Sequence, residues 1–313
     1  MSFKKIVEGR EKLNEIKFWE MALIKYKHPK NSPSHFDCYT VNFTDPNELK
    51  ELAITMYDNF IGLIEKKFNS EIQPYTGFSS KKCVDKIPMA SEVIKEPWSN
   101  LIQSLSTADD CTKIKKPTYD AFIFSGTYKT DNDESENIYI LCKNNPIVNY
   151  KKKSIFTCTN NTLKKNKDPL FNFPKCFDAV IYKNTLYMIN LNCETIFNLE
   201  RSHKNICKRH LNEIAETNII SNMEEFERCA LSNKNPQKFL TYNHEILKKF
   251  ANPEELETLC QELKISIDPS NNQLLFADEK SIKGFISVIC GRAKRELFED
   301  SLCEVLNSTP LNL

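Results

Sequence analysis

Glycine is scarce in this chain and never clustered. The 313 residues contain six glycines, at positions 9, 62, 77, 126, 284 and 291, and no two of them lie within five residues of each other. Phosphate-binding P-loops and dinucleotide-binding G-x-G-x-x-G loops need closely spaced glycines, because the backbone must turn tightly and approach the phosphates. The sequence therefore excludes P-loop NTPases and Rossmann dehydrogenases.

The strongest local signal in the sequence covers residues 177–190. Two runs rich in aromatic and β-branched residues, FDAVIY and TLYMIN, flank a short Lys-Asn-Thr turn. Such runs favour strands, and a short polar turn between them favours antiparallel pairing. The sequence predicts a β-hairpin here, and its nearly continuous apolar character predicts that both faces are buried.

The remaining periodicity predicts clustered strands and helices rather than a regular alternation. Strands are expected at 36–43, 119–128, 138–142 and 154–159, with a second hairpin at 265–276. Helices are expected at about 45–68, 91–105, 193–217, 222–231, 236–250, 253–263 and 281–297, and residues 71–90 are expected to form a long connection. This pattern favours an α+β fold with a mixed, largely antiparallel sheet, packed helices and a helical C-terminal third. We place a domain boundary between an N-terminal α+β region, 1–110, and a second region, 111–313, that holds the central hairpin and the C-terminal helices.

Charge is segregated along a chain that is nearly neutral overall, with 43 basic and 42 acidic residues. Residues 143–210 carry 13 Lys or Arg against 4 Asp or Glu, whereas residues 211–262 carry 5 against 10. At about 100° per residue, the basic residues 201, 204 and 208 fall on one flank of a helix, where spaced cations suit successive phosphates. The predicted DNA-binding residues are Lys151, Lys152, Lys153, Lys164, Lys165, Arg201, Lys204, Lys208 and Arg209. The alternative is a solvated charged face.

Three potential zinc ligands lie on the same predicted helix. His203, Cys207 and His210 share one face, but no fourth ligand is in register, and Cys207 also fits the apolar stripe. We therefore expect no metal and no other cofactor. The twelve cysteines include no C-x-x-C pair and often lie in apolar stretches, so they are expected to be reduced core residues.

The sequence offers no positive sign of catalysis, and we expect no enzymatic activity. A metal-dependent nuclease would need carboxylates and a lysine on adjacent strands. Tripeptides with the short Asp/Glu-x-Lys pattern include those at 15–17, 65–67 and 278–280, none of them on a predicted strand. Asp120 and Asp178, each at the head of a predicted strand, are the carboxylates best placed for a metal. The alternative hypothesis of a nuclease rests on these two residues. They could equally be structural carboxylates at a strand start or in a turn.

The sequence also bears on location. The N-terminal segment is charged and lacks an apolar signal region, and the apolar runs are only a few residues long. We expect a cytoplasmic protein that does not insert into a membrane directly.

The central block contains four successive segments: FNFPKC at 171–176, the strand FDAVIY at 177–182, the return strand TLYMIN at 185–190 and TIFNLE at 195–200. In these segments the chain resembles the KwaB family, the cytosolic component of the Kiwa anti-phage defence system. Looser similarity extends into the C-terminal third, around FADEK at 276–280. These are mainly core residues and not catalytic ones.

The resemblance implies an effector that binds DNA and suppresses phage DNA replication together with KwaA, a multi-pass membrane protein that would recruit it to the inner membrane. Because the sequence contains no standard DNA-reading motif, contacts are expected to be mainly with the DNA backbone, with weak sequence preference. We also expect a homo-oligomer. Besides the nuclease, the remaining alternative is a non-catalytic scaffold whose basic segment meets the acidic 211–262 region of a neighbouring copy.

Overall fold

The computed structural model describes residues 2–29, 32–68, 71–78, 83–110, 119–144, 156–159, 162–165, 173–189, 192–250, 252–295 and 302–304. The described chain forms two compact units. The first comprises residues 1–73, 81–90 and 96–197, and the second comprises residues 74–80, 91–95 and 198–313. The first unit thus takes strands from both sides of residue 110, and the chain passes to the second unit after residue 197.

The first unit is built on a nine-stranded sheet with the order β3-β4-β11-β10-β7-β6-β1-β2-β5. Its strands are β1 (Trp19–Lys27), β2 (His35–Val41), β3 (Ile72–Pro74), β4 (Val84–Pro88), β5 (Asp109–Asp110), β6 (Ala121–Lys129), β7 (Ser135–Lys143), β10 (Ala179–Tyr182) and β11 (Thr185–Met188). The β2–β5 pair is parallel, and the pairs β1–β2, β1–β6, β6–β7, β7–β10, β10–β11 and β11–β4 are antiparallel. A separate hairpin is formed by β8 (Phe156–Thr159) and β9 (Thr162–Lys165). The predicted α+β class and largely antiparallel sheet are confirmed.

Helices belong to both faces of this sheet. On one face, α1 (Ser2–Lys12) and α2 (Pro46–Phe68) cover a core that includes Leu23, Phe124, Ile140, Val180 and Tyr182. On the other face, Trp98 of α3 (Lys95–Ser106) meets the ring of Tyr139 edge-on at 4.9 Å. The short helix α4 (Asn192–Phe197) contacts β7 on that side as well. Helices thus lie on both faces of the sheet, and β10 and β11 are buried on both sides, as the sequence predicted for the hairpin.

The predicted hairpin is present as β10 and β11, joined by a two-residue turn. Lys183 and Asn184 both have positive φ, 45° and 53°. This is the twist that a type I′ turn needs, and Lys is an unusual residue for it. The Lys183 ammonium forms an ion pair with Glu8 of α1, and the Asn184 carbonyl accepts a hydrogen bond from the Met89 backbone at 2.9 Å. These contacts offset the cost of the strained turn.

One glycine is required by close packing. A Cβ at Gly9 of α1 would lie 2.6 Å from the hydroxyl of Tyr57 and 3.3 Å from the ring of Tyr182. The same hydroxyl donates a hydrogen bond to the Ile6 carbonyl at 3.0 Å. Gly9 therefore allows α1 to approach α2 and the sheet closely enough for this buried bond.

The second unit contains the helices of the C-terminal third, as predicted. Its elements are α5 (Leu199–Glu216), α6 (Met223–Ala230), α7 (Asn235–Lys238), a 3-10 turn (Phe239–Thr241), α8 (His244–Lys249), α9 (Pro253–Leu263), β12 (Ser266–Asp268), β13 (Gln273–Leu275), α10 (Glu279–Ile289), β14 (Ala293–Arg295) and β15 (Leu302–Glu304). Their apolar side chains share one core, which includes Leu211, Phe226, Phe239, Phe285 and Ile286.

Several predicted boundaries are wrong for local reasons. The helix predicted at 193–217 is two helices, because Asn198 adopts a left-handed conformation, φ 51° and ψ 48°, between α4 and α5. The helix predicted at 236–250 is interrupted, because the Asn243 side chain caps a new start at α8. The last helix ends at Ile289 and not at 297, just before Gly291 with φ 64°. The helix α1 and strand β1 were not predicted, and β3 and β4 occupy the expected connection.

Among the helices of the described ranges, none combines the length and the apolar character that a bilayer span requires.

Val180 tests the two-sided burial of the hairpin. Its side chain is fully buried in the core of the first unit. Val180→Asp would place an unpaired charge there, so we expect loss of soluble protein. Lys129→Asp, at an exposed position of β6 in the same sheet, should leave expression and melting temperature nearly unchanged. Soluble Val180→Asp protein with the wild-type melting temperature would contradict this assignment of the core.

Candidate nucleic-acid interface

The helix α5 carries four of the nine residues that the sequence predicts to bind DNA. Its apolar face is buried through Leu199, His203, Ile206, Cys207, Leu211 and Ile214. Because these residues recur at spacings of three and four, burying them fixes the rotation of the helix about its axis. The opposite face, with Lys208 and Arg209 exposed and Arg201 and Lys204 half-buried, is turned outward. We call Arg201, Lys204, Lys208 and Arg209 the α5 basic face.

Three cations of the α5 basic face, Lys204, Lys208 and Arg209, have different surroundings. Lys204 pairs with Glu200 one turn earlier at 2.6 Å. Arg209 forms ion pairs with Glu92 and, at 3.8 Å, with Glu213. Lys208 is exposed and makes no ion pair with any residue that the structure describes. Lys208 is therefore the cation most directly available to a phosphate.

Only some of the glutamates that pair with these cations can be predicted from the sequence. The pair of Glu200 and Lys204 has the i, i+4 spacing of a helix-surface ion pair and could have been identified from the sequence. Glu92, by contrast, is 117 positions from Arg209, and only the folded chain brings them together. Exposed ion pairs of this kind contribute about 0–1 kcal/mol, so a phosphate can compete with the carboxylates.

The other predicted residues lie on a different segment. Lys164 and Lys165 are in β9, where their backbones pair with Thr157 and Phe156 of β8. Lys151, Lys152 and Lys153 lie outside the described residues. The structure thus places four of the nine predicted residues together, on α5.

The three potential zinc ligands of α5 have separate environments. The ring of His203 is buried, stacks on Tyr75 at 5.9 Å between centroids, and has its Nε2 3.2 Å from the Tyr75 hydroxyl. The Cys207 thiol lies 3.8 Å from the Ala230 carbonyl, and burial raises its pKa to about 12. His210 contacts Glu213 at 2.9 Å. In the ranges that the structure describes, no three His, Cys, Asp or Glu residues form a group able to hold a metal ion.

The two carboxylates of the nuclease hypothesis serve as hydrogen-bond acceptors at the sheet end. Asp178 precedes β10 and accepts from the Lys143 backbone N–H at 2.6 Å and from the Asn192 side chain at 2.8 Å. Asp120 precedes β6 and accepts from the Tyr26 backbone N–H at 3.1 Å. These bonds hold neighbouring chain segments together, which is the role of strand-start carboxylates.

The three Asp/Glu-x-Lys tripeptides of the nuclease hypothesis lie in a helix, in a loop and at a helix start. The one at 65–67 is in α2, the one at 15–17 is in the loop before β1, and Asp278 caps α10 by accepting from the Ser281 N–H at 2.8 Å. None of these tripeptides lies on a strand.

His203 should make the second unit sensitive to acid. Burial lowers its pKa to about 4, against about 6.5 in an unfolded chain, and its Nδ1 has no hydrogen-bond partner among the described residues. The unfolded state therefore takes up a proton first as the pH falls below 6.5. The contribution of His203 to the free energy of unfolding is therefore retained above pH 6.5 and lost progressively down to about pH 4. Between pH 7 and pH 5 the free energy of unfolding should fall by about 2 kcal/mol.

This effect can be measured by urea unfolding followed by far-UV circular dichroism at pH 7 and pH 5. In His203→Phe, which keeps a ring against Tyr75 but cannot titrate, the loss between the two pH values should be smaller than in the wild type by about 2 kcal/mol. His35→Gln, which replaces an exposed histidine, should behave as the wild type. An equal acid sensitivity of His203→Phe and wild type would exclude His203 as its source.

Comparison with known proteins identifies one family. The model of the family described as Kiwa protein KwaB-like matches residues 131–294, slightly more than half of the chain. The match contains both the β10–β11 hairpin and α5, and it confirms the resemblance found in the residues 171–200. No curated protein and no solved structure matches the chain. The chain therefore belongs to the KwaB-like family of the Kiwa anti-phage defence system.

Proposed function

We propose that this protein is a non-enzymatic, DNA-binding component of Kiwa defence and that the α5 basic face contacts the phosphates of duplex DNA. The observation that carries this proposal is the position of Arg201, Lys204 and Lys208 on the outward side of one helix whose opposite face is buried. Cations spaced along a helix can neutralise successive phosphates, and the released counterions favour binding. Family membership supports the defence context.

The chemistry of the surface supports backbone contacts rather than reading of bases. The α5 basic face presents two ammonium groups and two guanidinium groups, which suit phosphates. In the proposed complex, phosphates replace Glu200 as the partner of Lys204 and compete with Glu92 and Glu213 for Arg209. Binding then depends strongly on salt and weakly on sequence.

By analogy with the family, the bound DNA would be that of an infecting phage, and binding would block its replication. The chain would work in the cytoplasm, as a homo-oligomer, and a membrane partner, KwaA, would bring it to the inner membrane. These points rest on family membership and not on any contact described above.

A protein-binding scaffold is the second candidate, and the ion pairs of α5 favour it. Arg209 and Lys204 already accept glutamates as partners, so carboxylates of a neighbouring copy could replace them. The acidic segment 211–262 would supply such carboxylates. In that case the protein would form oligomers that dissociate in high salt and would have no affinity for DNA.

The salt dependence of DNA binding tests the proposal. Replacing Lys204 and Lys208 by Glu should weaken binding to all duplex sequences alike and flatten the slope of log affinity against log salt by about two. The change creates a like-charge pair with Glu200, which should cost only about 0.5 kcal/mol of stability. Fluorescence anisotropy with two unrelated duplexes between about 50 and 200 mM salt provides the measurement.

A matched control has the same change in charge at another site. Lys66 and Lys67 are exposed at the end of α2, and Lys66→Glu with Lys67→Glu should leave the salt slope unchanged. Wild-type affinity and slope in the Lys204→Glu, Lys208→Glu variant would exclude the α5 basic face. Absence of DNA binding by the wild type at low salt would favour the scaffold.

A further inference from the structure

An open groove lies on the same face of the sheet as α3, beside the C-terminal end of that helix. It has a volume of about 600 Å³ and lies entirely within the first unit. Its floor comes from β1, β6 and β7, and one wall is the C-terminal end of α3, with Ile102 and Leu105. Sites for small organic ligands commonly have volumes of this size, with an apolar wall and a few oriented polar groups.

The floor is polar and oriented by its own hydrogen bonds. The Thr127 hydroxyl donates to the Asn137 side-chain oxygen at 2.7 Å, and the Asn137 amide donates to the Tyr139 hydroxyl oxygen at 3.1 Å. The Tyr139 hydroxyl hydrogen therefore remains to be donated to another acceptor. Since Trp98 packs against the Tyr139 ring at 4.9 Å, this donor is held in place.

The rim carries an exposed aromatic ring and two charged side chains. Phe18 is 83% exposed, more than any other large apolar side chain of the described residues. Lys17 and Glu20, on either side of it, are exposed and form no ion pair within the described part of the chain. The Glu20 carboxylate is close enough to Tyr139 to contribute to the raised pKa of that side chain, after the larger effect of burial. The exposed ring and the charges therefore face the same groove.

We propose that this groove binds a nucleoside monophosphate. A nucleobase has apolar faces, which would stack on Phe18 and the α3 wall, and polar edges, which would meet the hydroxyl groups of the floor. The Glu20 carboxylate would accept hydrogen bonds from the ribose hydroxyls or from a base amino group. Lys17 and Lys129 would meet the phosphate.

The charges of the groove limit the ligand to few phosphates. Two lysines, Lys17 and Lys129, are balanced by Glu15 and Glu20, and Lys129 already pairs with Asp133 at 3.3 Å. The chain also lacks a glycine-rich loop that could cradle a triphosphate. This site uses none of the residues of the α5 basic face, so it stands or falls independently of duplex DNA binding.

Isothermal titration calorimetry with adenosine, AMP and inorganic phosphate tests the site on the full chain. We expect adenosine and AMP to bind, AMP more tightly, and phosphate alone not to bind. Phe18→Ala should weaken the binding of both ligands about tenfold or more, since it removes the stacking ring. Because Phe18 is exposed, the variant should fold normally.

Further variants separate the parts of the site. Lys17→Ala should remove much of the advantage of AMP over adenosine, and Tyr139→Phe, which keeps the ring against Trp98, should weaken both ligands. Lys208→Ala, outside the groove, should leave AMP affinity unchanged even if it weakens duplex binding. If short single-stranded oligonucleotides compete with AMP, the nucleotide that the groove recognises is the end of a nucleic-acid strand. This result would also support the site.

Two results would overturn the proposal. One is the absence of saturable heat with adenosine and AMP up to millimolar concentration. The other is unchanged AMP affinity in Phe18→Ala. If Phe18→Ala instead alters the oligomeric state while no nucleotide binds, the groove is a protein interface and the nucleotide site is excluded.

Discussion

The burial of the apolar face of α5 is the constraint on which the proposed DNA surface depends. Each large apolar side chain buried there contributes about 1.5–3 kcal/mol, far more than any exposed ion pair on the opposite face. The helix therefore cannot rotate to improve its ion pairs without losing its core contacts. Its cations lie on the outward side as a consequence of packing, and the left-handed Asn198 separates α5 from α4 in the chain. A basic face on a neutral protein follows from this, because the charges of one short segment are held together on one side.

The sequence predicts those parts of the structure whose causes are local. The β10–β11 hairpin follows from two apolar runs around a polar turn, and α2 and α9 follow from apolar periodicity and a proline at the start. The strands β3 and β4 could not be predicted this way, because they are short and owe their conformation to pairing within the sheet. The break at Asn198 is also not predictable from local sequence. Asn tolerates both helical and left-handed backbone, and tertiary packing decides between them.

Electrostatic partners were the hardest feature to predict. The lysines and arginines of α5 could be identified by composition and spacing, and the partner Glu200 has a helical spacing from Lys204. One of the two partners of Arg209, Glu92, comes however from a segment 117 residues away. Equally, Asp120 and Asp178 have the positions of metal ligands in the sequence, but their hydrogen bonds to distant backbone groups give them structural roles. Whether a charged side chain faces solvent, a partner or a ligand is decided by the folded chain.

The direct test of the central claim is lysine acetylation footprinting with and without saturating duplex DNA at low salt, read out by mass spectrometry. If DNA lies on the α5 basic face, Lys204 and Lys208 should lose most of their reactivity in the complex, whereas Lys66 and Lys67 of α2 should react equally in both samples. Protection should disappear at high salt together with binding. Full reactivity of Lys208 in a saturated complex would contradict the claim, whatever the affinity of the protein for DNA.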